Sequence, residues 1–242
     1  LLGTGAALSD PTRTTTMLAL ENSAVIVIDC GADVVHRLLA HDIDLDRIEA
    51  LILSHEHPDH VAGFPLFMEK IWLAQRRRPI PVCGPASALD QARRIFEAFD
   101  MSGWDGLPEI EWREVPLEEN VTAWESEAWE ITASPGIHSV PVIGIRAEDL
   151  EGDGVMAYSA DTEPAPAILR LAKDVDLLVH EATGGFRGHT HVDDAARLAT
   201  DAGAGKLVVV HLPPPFDDIS LSNAEKAFPG IQVGHDGDRL SF

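Results

Sequence analysis

Residues Leu51-Ile52-Leu53-Ser54-His55-Glu56-His57-Pro58-Asp59-His60 join an apolar run, short enough to be a buried strand, to a loop with four metal-binding side chains in six residues. So dense a set, His55, His57, Asp59 and His60, is costly unless a cation compensates it. In an extended segment residues i and i+2 point the same way, so His55 and His57 can reach one ion together. The turn that Pro58 stiffens can swing Asp59 and His60 toward a second. Imidazole and carboxylate without thiolate suit Zn, Mn or Fe, with Zn the default.

A pair of ions needs ligands from elsewhere, and three polar residues stand at comparable strand ends. His138 follows the strand-like residues 129–133, Asp161 follows residues 155–159, and His211 follows Lys206–Val210. The carboxyl ends of strands are where open α/β sheets place their binding sites, so one fold can gather all of them. Taken singly, each has an ordinary explanation as a capping Asp or a hydrogen-bonded His. Taken with the first loop, they read as ligands.

In this light the chain resembles the metallo-β-lactamase superfamily, and within it the ribonuclease Z-like branch. The resemblance rests on Leu1-Leu2-Gly3-Thr4-Gly5, the cluster from His55 to His60, and His138 with Gly144-Ile145-Arg146. It continues in Tyr158-Ser159-Ala160-Asp161-Thr162, His180-Glu181-Ala182-Thr183, Gly188-His189-Thr190 and Val210-His211-Leu212. It implies an α/β fold, a four-layered αβ/βα sandwich of two mixed β-sheets with helices on the outer faces. It implies two divalent ions, one held by His55, His57 and His138, the second by Asp59, His60 and His211, with Asp161 bridging. It also implies that Glu181 and His189 form a pair in which His189 protonates the leaving group. Two ions roughly 3.5 to 4 Å apart hold a bridging hydroxide that attacks phosphorus or carbonyl carbon, and Asp59 can ligate and also orient it. His191 stands where the related motif usually carries Ser or Thr, which leaves its role open. His180 reads as a hydrogen-bonded structural residue.

Composition frames the site. The chain has 242 residues, and scaling predicts that roughly 70% of the unfolded surface is buried, enough for a sandwich core in a single domain spanning residues 1–242. No run of about 18 apolar residues offers a membrane span. The sequence starts in a strand-like segment without a basic, cleavable leader, and Cys30 and Cys83 sit in apolar surroundings without a Cys-x-x-Cys spacing. These features predict a cytoplasmic protein with core cysteines.

Forty acidic against eighteen basic residues give a formal charge of −22, a field that repels polyanions and suits small substrates. Adaptation to high salt explains the same surface equally well. The run Arg76-Arg77-Arg78 reads as a solvated helix end rather than a nucleic-acid patch. Strand-like segments fall near residues 17–20, 24–28, 51–53, 80–83, 121–123, 129–132, 142–146, 155–158, 177–179 and 207–210. Helical patterns cover 33–40, 65–77, 85–99, 166–172 and 192–202. Residues 101–109 and 147–154 read as surface loops.

The substrate follows less directly. Ribonuclease Z-type enzymes that mature transfer RNA commonly carry a long arm for the RNA elbow between the Gly-x-Arg stretch and the Asp-Thr motif. Here that interval is only residues 147–155. The missing arm and the acidic surface favour a phosphodiesterase acting on small-molecule or nucleotide diesters and disfavour RNA. Arg187, beside Gly184-Gly185, is either a phosphate-binding side chain or a solvated loop charge. The rival readings are a tRNA 3′-processing endoribonuclease, an arylsulfatase, lactonase or thioester hydrolase on the same scaffold, and a non-catalytic metal-binding module. The complete ligand set argues against the last. Gly136-Ile137-His138 lacks the Gly-His pair usual in glyoxalase II-like enzymes, and flavodiiron oxidoreductases typically carry Glu where His57 stands. Relatives in this branch are often dimers, so the resemblance carries a homodimer as a further expectation.

Overall fold

The computed structural model describes residues 1–8, 11–214 and 221–242. The first sheet contains β1 (Leu18–Glu21), β2 (Val25–Ile28), β3 (Ile48–Ile52), β4 (Ile80–Gly84) and β5 (Ile110–Glu114) in sequence order. β1 is antiparallel to β2, and the remaining pairs are parallel. The second sheet begins as an antiparallel meander of β6 (Val121–Glu125), β7 (Trp129–Pro135), β8 (Ile143–Asp149) and β9 (Val155–Tyr158). It continues in parallel through β10 (Leu177–Glu181), β11 (Lys206–Val210) and β12 (Gln232–Val233).

Alternation of side chains builds four layers from these two sheets. On β2, Ile26 and Ile28 enter the core between the sheets while Val25 and Val27 pack outward. On β11, Val208 and Val210 face inward while Leu207 and Val209 face outward. Strands buried on both faces must be apolar throughout, which is why they read as short unbroken runs. The outer face of the first sheet is covered by α1 (Val34–Ala40), α3 (Phe64–Leu73) and α4 (Ala86–Glu97), through Leu38, Phe67 and Leu89 among others. The outer face of the second is covered by α5 (Pro166–Leu171), α6 (Val192–Ala202) and α7 (Ala224–Ala227), through Ile168, Leu198 and Ala224. No helix among the described residues is long and apolar enough to cross a membrane.

The expected sandwich is therefore present, with local differences that have physical causes. β5 occupies residues where no strand was expected, because it is an edge strand in which three of five side chains are charged and none is fully buried. Residues 147–149, expected in a loop, extend β8, since Ala147 is buried opposite Ile131 and only the turn after Asp149 is free. α3 stops at Leu73 rather than residue 77, and Gln75 turns through a positive φ of 68°. Arg76 is not solvated. It is 3% exposed and donates to the carbonyls of Leu45, Ile48 and Pro79, and Arg78 donates to Ile48 O at 2.9 Å. Arg76 and Arg78 thus fasten the turn before β3, while Arg77 is exposed and folds back on the end of α3.

Pro58 opens α2 (Pro58–Val61), a single helical turn instead of a loop. Proline fits the first helical position because no hydrogen bond is lost there. The turn is held against residues 30 and 31: Cys30 N donates to His60 O at 2.8 Å, and Gly63 N donates to Cys30 O at 2.8 Å. Gly31 lies so close beneath it that a Cβ would stand 1.7 Å from Asp59 O. Gly31→Ala is therefore expected to lower stability by about 1–3 kcal/mol by forcing α2 away, measured by denaturant unfolding. Gly103→Ala, where a Cβ meets nothing within 4 Å, serves as the control and is expected to change stability little. Equal effects would contradict the close packing of α2.

Candidate metal centre

The carboxyl ends of β2, β3, β7, β9, β10 and β11 deliver Asp29, His55, His138, Asp161, Glu181 and His211 to one rim of the sandwich. The two sheets are stitched there by Ile143 N donating to Ser54 O at 3.1 Å. Asp29, Ala160 and His211 leave their strands with left-handed φ of 62°, 50° and 56°. Such backbone is unfavourable for residues bearing a Cβ and persists where the surroundings hold it.

One group of donors comprises His55, His57 and His138. His57 Nδ1 lies 3.1 Å from His55 Nε2 and 3.1 Å from His138 Nε2. One ring nitrogen cannot satisfy two such neighbours in its plane by hydrogen bonding. The edge of a tetrahedron with metal–nitrogen distances of about 2.0–2.1 Å is about 3.3 Å, so the spacing fits a shared ion. A second group comprises Asp59, His60 and His211. Asp59 Oδ2 is 3.3 Å from His211 Nε2 and 3.5 Å from His60 Nε2.

Asp161 lies between the groups. Its Oδ2 is 3.4 Å from His211 Nε2 and 3.9 Å from His55 Nε2, and its Oδ1 is 3.6 Å from His60 Nε2. Both His60 Nε2 and Asp161 Oδ1 are buried and lack a hydrogen-bond partner. Buried polar atoms are rarely left so, and a cation between them resolves both. The donor set thus fits divalent metal.

The far nitrogen of four rings fixes which atom faces the centre. His60 Nδ1 donates to Asp29 Oδ2 at 2.8 Å, and His138 Nδ1 donates to Gly188 O at 2.7 Å. His211 Nδ1 donates at 2.6 Å to the Thr183 hydroxyl, which itself donates to His211 O at 2.8 Å. His55 Nδ1 donates at 3.0 Å to the Ser54 hydroxyl, which donates to Asp29 Oδ2 at 2.8 Å. Each acceptor holds the proton on Nδ1 and leaves the Nε2 lone pair for the centre. Asp29, fully buried, also accepts from Ser54 N at 2.7 Å. It was not expected from the sequence, although it ends the apolar run of β2 just as Asp161 ends that of β9.

The electrostatics agree. Burial lowers His55 well below the ordinary imidazole range and also lowers His57. Burial opposes charge at Asp161 and Asp59 too, yet neighbouring His211 and His60 bring Asp161 well below the usual carboxylate range and lower Asp59. At His60 burial is outweighed by Asp161 and Asp29, which raise it well above its usual value. The protein is built to hold positive charge between these groups.

Glu181 and His189 stand beside this centre as a pair, with His189 Nδ1 donating to Glu181 Oε1 at 3.1 Å. The buried Glu181 carboxylate also accepts from the backbone N–H groups of Thr162, Thr183 and Thr190. Those bonds occupy it, although one oxygen lies within ligand range of His189 and His211. Burial would lower the His189 pKa, but Glu181 outweighs it and raises it. Glu163 accepts from Gly188 N at 2.9 Å, while Gly188 O accepts from His138. The Gly188 peptide therefore ties the His189 loop to a candidate ligand.

The remaining expectations fall out plainly. His191 caps α6, its Nδ1 accepting from Asp193 N at 3.2 Å, the task Ser or Thr commonly performs at that place. His180 is buried, donates Nδ1–H to Glu181 O at 2.7 Å, and joins no donor group. The Arg187 side chain is exposed and is not among the described residues lining the cleft beside the donors.

Residues 25–212 match the family described as the β-lactamase superfamily domain, so the chain belongs to that superfamily. Among particular relatives, it is 27% identical over 291 residues to Ribonuclease Z of Ignicoccus hospitalis, covering 98% of this chain and 95% of that protein. Its fold matches the metallo-β-lactamase fold protein YhfI from Bacillus subtilis with a TM-score of 0.81, 22% identity, and coverage of 98% and 96%. It also matches a diphosphatase from the PhnP family with a TM-score of 0.75, 20% identity, and coverage of 100% and 96%.

Asp29 yields a prediction. Asp29→Ala is expected to weaken divalent metal binding about 10- to 100-fold by releasing the His60 and His55 rings, measured by competition with a chromophoric chelator. Unchanged affinity would contradict its orienting role.

Proposed function

We propose that the protein is a dinuclear metal-dependent phosphodiesterase acting on small or nucleotide diesters. The observation that carries this reading is the convergence of two three-donor groups with the Asp161 carboxylate between them. His55, His57 and His138 would hold one ion and Asp59, His60 and His211 the other, with Asp161 touching both. Nitrogen and oxygen donors without thiolate favour Zn, with Mn or Fe as substitutes. Ions bound there supply Lewis acidity and a nucleophilic water at neutral pH.

The chain's own residues do the rest. Asp59, which lines the cleft, would serve as a ligand and orient the attacking water. As the water oxygen bonds to phosphorus, the bond from phosphorus to the leaving oxygen breaks, and that oxygen needs a proton. His189, whose Nδ1 is committed to Glu181, offers it from Nε2. Glu181 keeps the ring in one tautomer and one orientation.

Against the RNA-processing reading stands the hairpin between β8 and β9, which closes directly after Asp149 and leaves no room there for an arm. The alignment to the Ignicoccus ribonuclease spans 291 residues while this chain has 242, so at least 49 of its positions face a gap. The RNA reading is supported by the names of relatives, Ribonuclease Z of Ignicoccus hospitalis and Ribonuclease BN of Enterobacter and Escherichia coli, and by a fold match to the short form of human tRNase Z with a TM-score of 0.80. Metal-loaded enzyme is expected to cleave bis(p-nitrophenyl) phosphate and to leave precursor transfer RNA, aryl sulfates, lactones and thioesters intact. Cleavage of precursor transfer RNA alone would reverse the assignment.

Two variants test the roles. Asp161→Ala is expected to lose most bound metal together with activity, and retention of two ions at full rate would remove Asp161 from the centre. His189→Ala is expected to keep the metal yet slow hydrolysis about a hundredfold or more. That deficit should shrink for leaving groups of low pKa, which depart without a proton. Equal losses with p-nitrophenolate and a simple alkoxide would show that His189 does not donate it.

A further inference from the structure

The cleft over the donors, about 270 Å³, takes its polar side chains from His57, Asp59, Asp161, Thr183, His189 and His211 among the described residues. Its walls include Leu8, Phe186 and Pro213, and no Lys or Arg is among the described residues that line it. Arg187, next to Phe186 in sequence, is exposed and lies outside this lining. Among the described lining residues, a phosphate seated among the donors would therefore find no Lys or Arg for a second phosphate farther out. It would find Asp59 and Asp161 nearby and a chain of net charge −22 around it. Polyanions are bound through contacts with Lys and Arg, and the described lining of this cleft has neither.

Phe186 is what the cleft offers instead. It is 56% exposed and, unlike the exposed Phe99, lines the cleft over the donors. Its backbone is pinned: Phe186 N donates to Gly184 O at 2.9 Å, and His189 N donates to Phe186 O at 3.0 Å. A Cβ on Gly184 would stand 3.0 Å from Phe186 Cε1, so the bare glycine is what lets the ring lie back on its own loop. The ring centroid is 4.9 Å from that of His189. An aromatic surface is thus held beside the group that would protonate the leaving oxygen.

We propose that Phe186 is a stacking platform for a planar aromatic group of the substrate. The substrate class is then a small ester carrying a single phosphate and one aryl or nucleoside substituent, not a polynucleotide. This deepens the phosphodiesterase reading and rests on it for the chemistry, while the platform itself is a binding claim. Stacking of a planar group on an exposed aromatic side chain tolerates many ring types, so the platform selects for planarity rather than for one base.

The test separates binding from turnover. Affinities of phenylphosphonate and methylphosphonate for the zinc-loaded full chain are measured by calorimetry in the wild type, Phe186→Ala and Phe186→Tyr. The phenyl ligand is expected to bind about tenfold tighter or more in the wild type, with the ratio falling to within twofold in Phe186→Ala and restored in Phe186→Tyr. Equal affinities in the wild type, or a ratio untouched by Phe186→Ala, would overturn the platform. In parallel, p-nitrophenyl esters whose second substituent is methyl, phenyl or a nucleoside are expected to differ in KM in the same order. A phenyl preference in binding without turnover of any diester would remove the phosphodiesterase reading and keep the platform. Turnover of all three esters with equal KM and equal phosphonate affinities would do the reverse.

Discussion

Lone pairs crowd together at one rim of this molecule. Three imidazole nitrogens meet at 3.1 Å, and a carboxylate lies within 3.4 to 3.9 Å of one of them, His55 Nε2, and of two more, on His60 and His211. Protons cannot satisfy such a cluster, because the Nδ1 atoms of four rings already carry theirs for acceptors behind them. A positive charge must enter, and most of the architecture around the rim follows from preparing a place for it. The protein is a metal-dependent hydrolase of the β-lactamase superfamily, and this constraint explains the form its sandwich takes.

The fold meets the constraint by ending strands of both sheets at the same edge. β2, and β11 beyond Lys206, are apolar to their last residues because both faces are buried, and the polar Asp29 and His211 follow at the rim. Left-handed backbone at Asp29, Ala160 and His211 turns the chain sharply enough to keep those side chains or their neighbours on the centre. Pro58 starts a helical turn whose packing on Gly31 carries Asp59 and His60 to the opposite side of the cluster from His55 and His57. Asp29 then orients two of the rings, one directly and one through Ser54.

The sandwich and the donor set were largely legible in the sequence, since runs buried on two faces have no polar interruptions and six closely spaced residues concentrate four donors. What escaped has a common cause: it depends on tertiary partners. β5 is an edge strand with little to bury, and Arg76 is drawn inside by three carbonyls that lie apart from it in sequence. Asp29 shows only the polar end of an apolar run, a signal as weak as that of any capping residue. His191 departs from the pattern of related motifs, yet a ring nitrogen caps α6 in place of a hydroxyl, so the departure conserves the task. Phe186 carries no sequence signal beyond the two glycines before it, and its exposure beside His189 emerges only from the folded loop.

Acidic charge and the bare hairpin after β8 work in one direction, and a cleft whose described lining has no Lys or Arg adds to them: each discourages a long polyanion and leaves room for a compact ester. The claim beneath all of this is that the rim is a two-ion centre. Crystals grown with zinc and measured at wavelengths on either side of the zinc absorption edge test it most directly. The account predicts two anomalous peaks in each chain, one among His55, His57 and His138 and one among Asp59, His60 and His211, with Asp161 reaching both. A single peak, or peaks away from these seven residues, would contradict it.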